Sequence, residues 1–348
     1  MSAQLIPAQD IPGQNRLAVS FRLLFSLYSI IPICLLLQLL DSSLWQGYLK
    51  QNLPSSPNHF IFFQIFLGTP HIIASAIVLA SNREYIGFYK WKIIWMTLAV
   101  ACFFGIGSLF IPYLALYLLV ACWTVFHVLK QQHGIARGIC RLPDRVFNLL
   151  LWLSVATGIF IYIGIFLRNS PDAQQAALIK HIAANLAVVL LLATLYCQRY
   201  ATTRFGKWFL WSNSLLVLSS FYLYVEQYYF LAILVPRLVH DTTAYIFYVT
   251  HDYNKHQEQA RNALYRFAKR CNIPIFIVLP LISFGLAFVL QAYGNSAVNI
   301  ITNYLFGFEI RKAITVGLLG YLALLHYYTE AFTWKQDSPY RKFIAFTK

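Results

Sequence analysis

The chain has 348 residues, of which 59% are hydrophobic and only 11% charged. Soluble domains average about 25% charged residues, so this chain lacks the polar surface that a water-soluble globule needs. A net charge of +15 would suggest nucleic acid in a soluble protein. With a mean hydropathy of +0.59 it reads instead as basic cytoplasmic loops of an integral membrane protein, and no nucleic-acid partner is expected.

Residues 1–22 form a polar lead, its first part carrying Pro7 and Pro12. No small-residue cleavage site follows the first apolar run, so a removable signal is not expected. A membrane-crossing helix needs about 20 apolar residues. By that measure about ten spans are predicted in one all-α transmembrane domain over 23–333: 23–40, 60–80, 93–111, 113–129, 147–167, 178–197, 208–225, 228–250, 273–292 and 313–333. Pro112 separates the third span from the fourth, 297–308 reads as a short interfacial helix, and 334–348 as a basic tail. The six cysteines show no C-x-x-C spacing and read as small buried hydrophobes.

Charge placement orients these spans, because cytoplasmic loops concentrate Lys and Arg. With both termini cytoplasmic, 21 of the 27 basic residues fall on inner segments, among them Lys130, Arg137, Lys255 and Lys335. Five fall outside: Lys50, Arg168, Lys180, Arg311 and Lys312. Arg237 lies within a span. The expected location is a cell membrane, of the bacterial inner-membrane type.

Ionisable groups at membrane depth are expensive and mark a bundle interior, a cavity or a metal. His71 lies 12 residues before Arg83, His127 10 before Arg137, His240 15 before Lys255 and His326 9 before Lys335. At 1.5 Å per residue, each sits roughly 14–22 Å from the cytoplasmic charges. Any one of these histidines is explained by an ordinary helix contact. Four at one level on four helices point to a shared metal site. His59 and His181 fall at outer helix ends, and His251 and His256 in a solvated inner loop.

Neighbouring polar residues offer an outer shell of hydrogen bonds, the usual means of orienting a metal-bound imidazole. Gln131 and Glu330 each lie four residues after a site histidine and share its face. Glu330 is also a candidate ligand. His133 lies about 240° around the helix from His127 and joins the site only if the helix breaks near Gly134. Asp241, adjacent to His240, is better placed for an (i, i+4) ion pair with Arg237. Tyr222, Tyr224, Tyr245 and Tyr248 belong to an aromatic-rich stretch expected to line a tunnel for a long apolar substrate, an aromatic belt being the competing explanation. No G-x-S-x-G, Walker A, G-x-G-x-x-G or H-E-x-x-H motif is present.

The run Gly68-Thr69-Pro70-His71 resembles the G-x-P-H segment of the Brp/Blh-type β-carotene dioxygenases, polytopic membrane proteins that cleave β-carotene to retinal. Val125-Phe126-His127 resembles the family's H-F-G segment. Val239-His240 falls where the family has H-x-x-x-H, and Leu325-His326 where it has a late P-H. The family's second histidine of H-x-x-x-H is missing, since Pro236 and Ala244 stand four residues from His240. The resemblance implies Fe(II) held by His71, His127, His240 and His326, and an oxygenase using O₂ on an apolar lipid or carotenoid in the bilayer. Two other functions fit the histidines: a transporter or channel with a histidine proton relay, and a haem b carrier with two axial histidines.

Overall fold

A computed structural model describes residues 16–54, 68–310, 312–335 and 338–347. Among these residues the protein is a helical bundle. The helices are α1 (Phe21–Ser43), α2 (Tyr48–Asn52), α3 (Thr69–Ala80), α4 (Arg83–Ile106), α5 (Tyr113–Cys140) and α6 (Asp144–Phe166). They continue with α7 (Ala173–Tyr200), α8 (Arg204–Val225), α9 (Tyr229–His256), α10 (Ala263–Arg270), α11 (Ile275–Phe306) and α12 (Leu319–Thr333). A π-helical turn, Ala313–Leu318, leads into α12.

Seven of these helices are long and apolar enough to cross a membrane: α1, α4, α6, α7, α8, α9 and α11. Large apolar side chains face outward along them, including Trp91, Trp95 and Tyr304, as lipid contact requires. Of the four helices that carry the level histidines, only α9 is among the seven. Helices α3 and α12 have 12 and 15 residues, too short to cross on their own.

Helix ends follow local chemistry. Pro112, Pro143 and Pro274 stand immediately before α5, α6 and α11, where the missing N–H costs nothing. Asp172 and Gln175 form a reciprocal capping box on α7. Pro236, inside α9, removes the N–H that would bond the Ala232 carbonyl, and the Ser220 hydroxyl on α8 donates to that carbonyl instead.

Two buried cores meet at the centre. One joins α1, α5, α6, α7, α8 and α9; the other joins α3, α4, α9, α11 and α12. In the first, α6 and α8 approach closely at Gly164, where a Cβ would overlap the Tyr224 ring. Gly164→Ala is expected to destabilise the protein by about 1–3 kcal/mol through overpacking, measured as a lowered denaturation midpoint in detergent.

Both ends of the described chain meet on one side of the bundle. Strand β1 (Ala18–Ser20) pairs in parallel with β2 (Ala345–Thr347), with Ala18 opposite Ala345 and Val19 opposite Phe346. Asn254, at the end of α9, ties both segments down. Its amide donates to the Leu17 and Phe343 carbonyls and accepts from Leu17 N, each at 2.8 Å.

Several sequence expectations change. Residues 60–67 and His59 lie outside the described residues, so the second span is seen only as α3. The expected interfacial helix at 297–308 is the continuation of α11 to Phe306. Helix α5 runs unbroken through Gly134 to Cys140. Of the cysteines, Cys34, Cys140 and Cys197 are buried, whereas Cys102 and Cys271 are exposed.

His251 and His256 are buried on α9 rather than solvated in a loop. The helix continues past residue 250 beneath α10, where hydrogen bonding offsets the loss of water. His251 bonds Tyr85 at 2.7 Å and Asp252 at 2.9 Å, and Lys255 pairs with Glu84. Tyr265 on α10 donates to Asp252, and burial, then that carboxylate, pushes its phenol well above the usual range.

Candidate metal centre

His71 on α3, His127 on α5, His240 on α9 and His326 on α12 converge at the seam of the two cores, and all four are buried. Each sits on its helix for a local reason. Pro70 occupies the first turn of α3, so His71 follows directly at the helix start. His240 lies one turn beyond Pro236, where Ser220 has replaced the lost backbone bond.

The imidazole centroids lie 5.4 Å apart for His71–His240, 4.8 Å for His71–His326, 4.7 Å for His127–His240 and 4.9 Å for His127–His326. Every one of these pairs is edge-to-face. Ligand atoms of His127, His240, His326 and Glu330 lie within 4.8 Å of one another, as do those of His71, His240 and Asp241. Metal bonds of about 2.1 Å place opposite donors about 4.2 Å apart. Donors up to 4.8 Å apart therefore have to draw in by at least about 0.6 Å to share one ion.

Several donors are left without hydrogen bonds. Among the described residues, His326 Nε2 and both ring nitrogens of His240 are buried and make none, the Asp241 oxygens have ion-pair contacts alone, and His127 Nε2 and Glu330 Oε2 face each other at 3.0 Å. Buried polar atoms are normally satisfied, and each that is not costs about 1–3 kcal/mol. So many at one point match a site built to hold a cation.

Glu330 is divided between two tasks. Its Oε1 accepts from Tyr248 Oη at 3.0 Å, Trp334 Nε1 at 3.2 Å and Gln131 Nε2 at 3.3 Å. Its Oε2 faces His127 Nε2 at 3.0 Å and His326 Nε2 at 3.7 Å. Three donors hold one oxygen and turn the other toward the histidines. The Gln131–Glu330 link joins the two residues expected beside the site.

Asp241 lies 3.5 Å from Arg237 Nε, the ion pair expected from their spacing. It also lies 3.4 Å from His71 Nδ1, so it faces the centre despite its 100° offset from His240 on α9. His71 comes to Asp241 from another helix, α3, which spacing along α9 does not express.

His133 is not part of this centre: its Nε2 bonds Ser154 Oγ on α6 at 3.0 Å. With α5 unbroken at Gly134, its angular offset from His127 decides the matter. The tyrosines also divide. Tyr248 reaches Glu330, and lies 3.4 Å from His326 Nδ1. Tyr222 bonds Gln38, Tyr245 bonds Ser283, and Tyr224 packs into the first core. None of the four lines the large cavity that meets the centre.

That cavity, of about 990 Å³, is reached through His127, Gln131 and Glu330. Its aromatic wall takes Phe247 from the tyrosine-rich stretch and is otherwise built by Trp123 and Phe126 on α5, Tyr327 on α12, and Trp334 just beyond it. The Tyr327 ring lies 4.5 Å from that of His127. Sequence reasoning missed Trp334, although it stands four residues after Glu330 and so on the same face.

Comparison with family models, with curated proteins and with solved structures finds no match for this chain.

Proposed function

We propose that this protein is a membrane-embedded non-haem iron oxygenase acting on a long apolar chain. The reading includes ten membrane crossings with both ends in the cytoplasm. The chain ends pair on one side of the bundle, as an even number of crossings demands. The observation that carries the proposal is the convergence of four buried histidines with Glu330 and Asp241, where His240 and His326 Nε2 make no hydrogen bond among the described residues. Nitrogen donors with a carboxylate suit iron among the transition metals, and bound iron would supply the activation of O₂.

The protein's own residues do the rest. Tyr248, Trp334 and Gln131 hold Glu330 in place, and Arg237 balances the charge of Asp241. The aromatic wall lays a chain beside the histidines and keeps water away. Cleavage of one double bond places both atoms of O₂ in two carbonyl products, so no outside reductant is required. A carotenoid-like polyene, with or without an acidic end group, is the specific form of this proposal.

The geometry disfavours the two alternatives. Imidazoles in a proton relay are linked by hydrogen bonds, whereas neither nitrogen of His240 makes one among the described residues. A haem places its two axial imidazoles on opposite faces of the macrocycle, and rings 4.7–5.4 Å apart leave no such slot.

Elemental analysis of the purified protein is expected to find close to one iron per chain. Less than about a tenth of a transition metal per chain would overturn the proposal. Chelation is expected to lower the thermal midpoint by a few degrees, through loss of binding energy specific to the folded state. Expression in a carotene-accumulating bacterium tests the substrate: pigment loss with retinal formation supports a carotenoid, and retained pigment removes it.

A further inference from the structure

The cavity beside the metal centre has two chemically different ends. Its inner end is formed by His127, Gln131 and Glu330, and aromatic side chains continue from there. The rest of the lining includes Arg16, Lys130, Arg137, Lys335, Arg341 and Lys342, and Glu330 is the one carboxylate among the described lining residues. Along α5, ten residues separate His127 from Arg137, so the basic region extends roughly 15 Å from the centre.

The preference for basic residues on one side of a membrane does not account for this arrangement by itself. Such residues usually spread around the rim of a bundle, facing lipid head groups. Here the pairing of β1 with β2 brings Arg16, Arg341 and Lys342 over the same opening that Lys130 and Lys335 approach from α5 and the end of α12. Arg137 pairs with Asp144, and Arg341 donates to the Ile344 carbonyl. Lys335 and Lys342 are exposed at the mouth. A hydrocarbon without a charged group gains nothing from this mouth, whereas a carboxylate or phosphate gains charge-assisted hydrogen bonds.

We infer that the cavity binds a single-chain membrane lipid with an anionic head group, its head at Lys335 and Lys342 and its tail directed to the histidines. This substrate class rests on the oxygenase reading only for the fate of the tail; binding itself needs no metal. At about 990 Å³ the cavity is at the upper end of the range for small-molecule sites and has room for a long chain.

Binding of radiolabelled oleate and of oleyl alcohol to the purified full-length protein, in a neutral detergent at pH 8, tests the inference. Oleate is expected to bind at least tenfold more tightly than the alcohol. The double variant Lys335→Gln/Lys342→Gln is expected to remove most of that preference. Acetate is expected not to displace oleate, since a head group alone lacks the tail contacts.

A second variant fills the cavity. Gly134 lines it, and a Cβ there meets nothing within 4 Å, so Gly134→Phe is expected to fold and to weaken binding of both lipids. Equal affinity for oleate and the alcohol, displacement of oleate by acetate, or unchanged binding in Gly134→Phe would each overturn the inference. Metal analysis of the same samples separates the two ideas. An anionic preference without metal keeps the lipid site and removes the oxygenase; metal without the preference does the reverse.

Discussion

Glu330→Gln is expected to lose metal while keeping the fold. The glutamine carbonyl can replace Oε1 and accept from Tyr248, Trp334 and Gln131, the three donors that hold the carboxylate. Its amide nitrogen then takes the place of Oε2, 3.0 Å from His127 Nε2, and an amide NH₂ has no lone pair to offer a cation. Metal occupancy should fall at least tenfold, the scale on which even outer-shell changes act. Glu330→Ala differs in a telling way. It leaves three donors without their acceptor, each costing about 1–3 kcal/mol, so its thermal midpoint should fall along with its metal. Wild-type iron content in Glu330→Gln would show that Oε2 is not a ligand.

His240→Leu is expected to separate stability from metal binding in the opposite sense. His240 is buried, and among the described residues both of its nitrogens lack hydrogen bonds. In the metal-free protein, replacing it with an apolar side chain of similar size removes an unsatisfied polar group. The midpoint should therefore hold steady or rise, by the equivalent of about 1 kcal/mol. In the metal-loaded protein the same change removes a donor common to both ligand groups, so iron should fall below about a tenth per chain. Chelated and iron-loaded samples of both proteins, melted side by side, measure the two effects. A large loss of stability in the metal-free variant would mean that His240 serves packing, and the metal centre would lose its main support.

The helical character of the chain was legible from composition and from apolar runs. Each predicted span that falls within the described residues coincides with a helix. Helix lengths were less legible. Helix α5 continues to Cys140 and α9 to His256 because their polar ends pack against other elements, and hydropathy reports the bilayer rather than those contacts. The four histidines were legible as a group because depth in a membrane can be counted along the chain, so residues far apart in sequence can be compared on one axis. The pairing of Arg237 with Asp241 followed from (i, i+4) spacing.

Other parts of the site depended on rotation about helix axes and on long-range packing. The orientation of α5 sends His133 to Ser154 instead of the centre. The tyrosine-rich stretch supplies Tyr248 to the centre and Phe247 to the cavity, while the rest of the aromatic wall includes Trp123, Phe126, Tyr327 and Trp334. The basic residues first counted as a topology signal acquire a second role where chain ends some 325 residues apart, Ala18 and Ala345 among them, pair across the mouth of the cavity.

By itself, the sequence determined that this is a helical protein suited to a membrane, with rare ionisable residues at a common depth. Those properties follow from the cost of removing polar groups from water, which acts on each residue separately. The tertiary structure decided which of those residues meet, that Glu330 turns one oxygen to the histidines, and that an aromatic cavity with a cationic mouth opens beside them. Those are properties of helix rotation and packing, and they exist only once distant segments have come together.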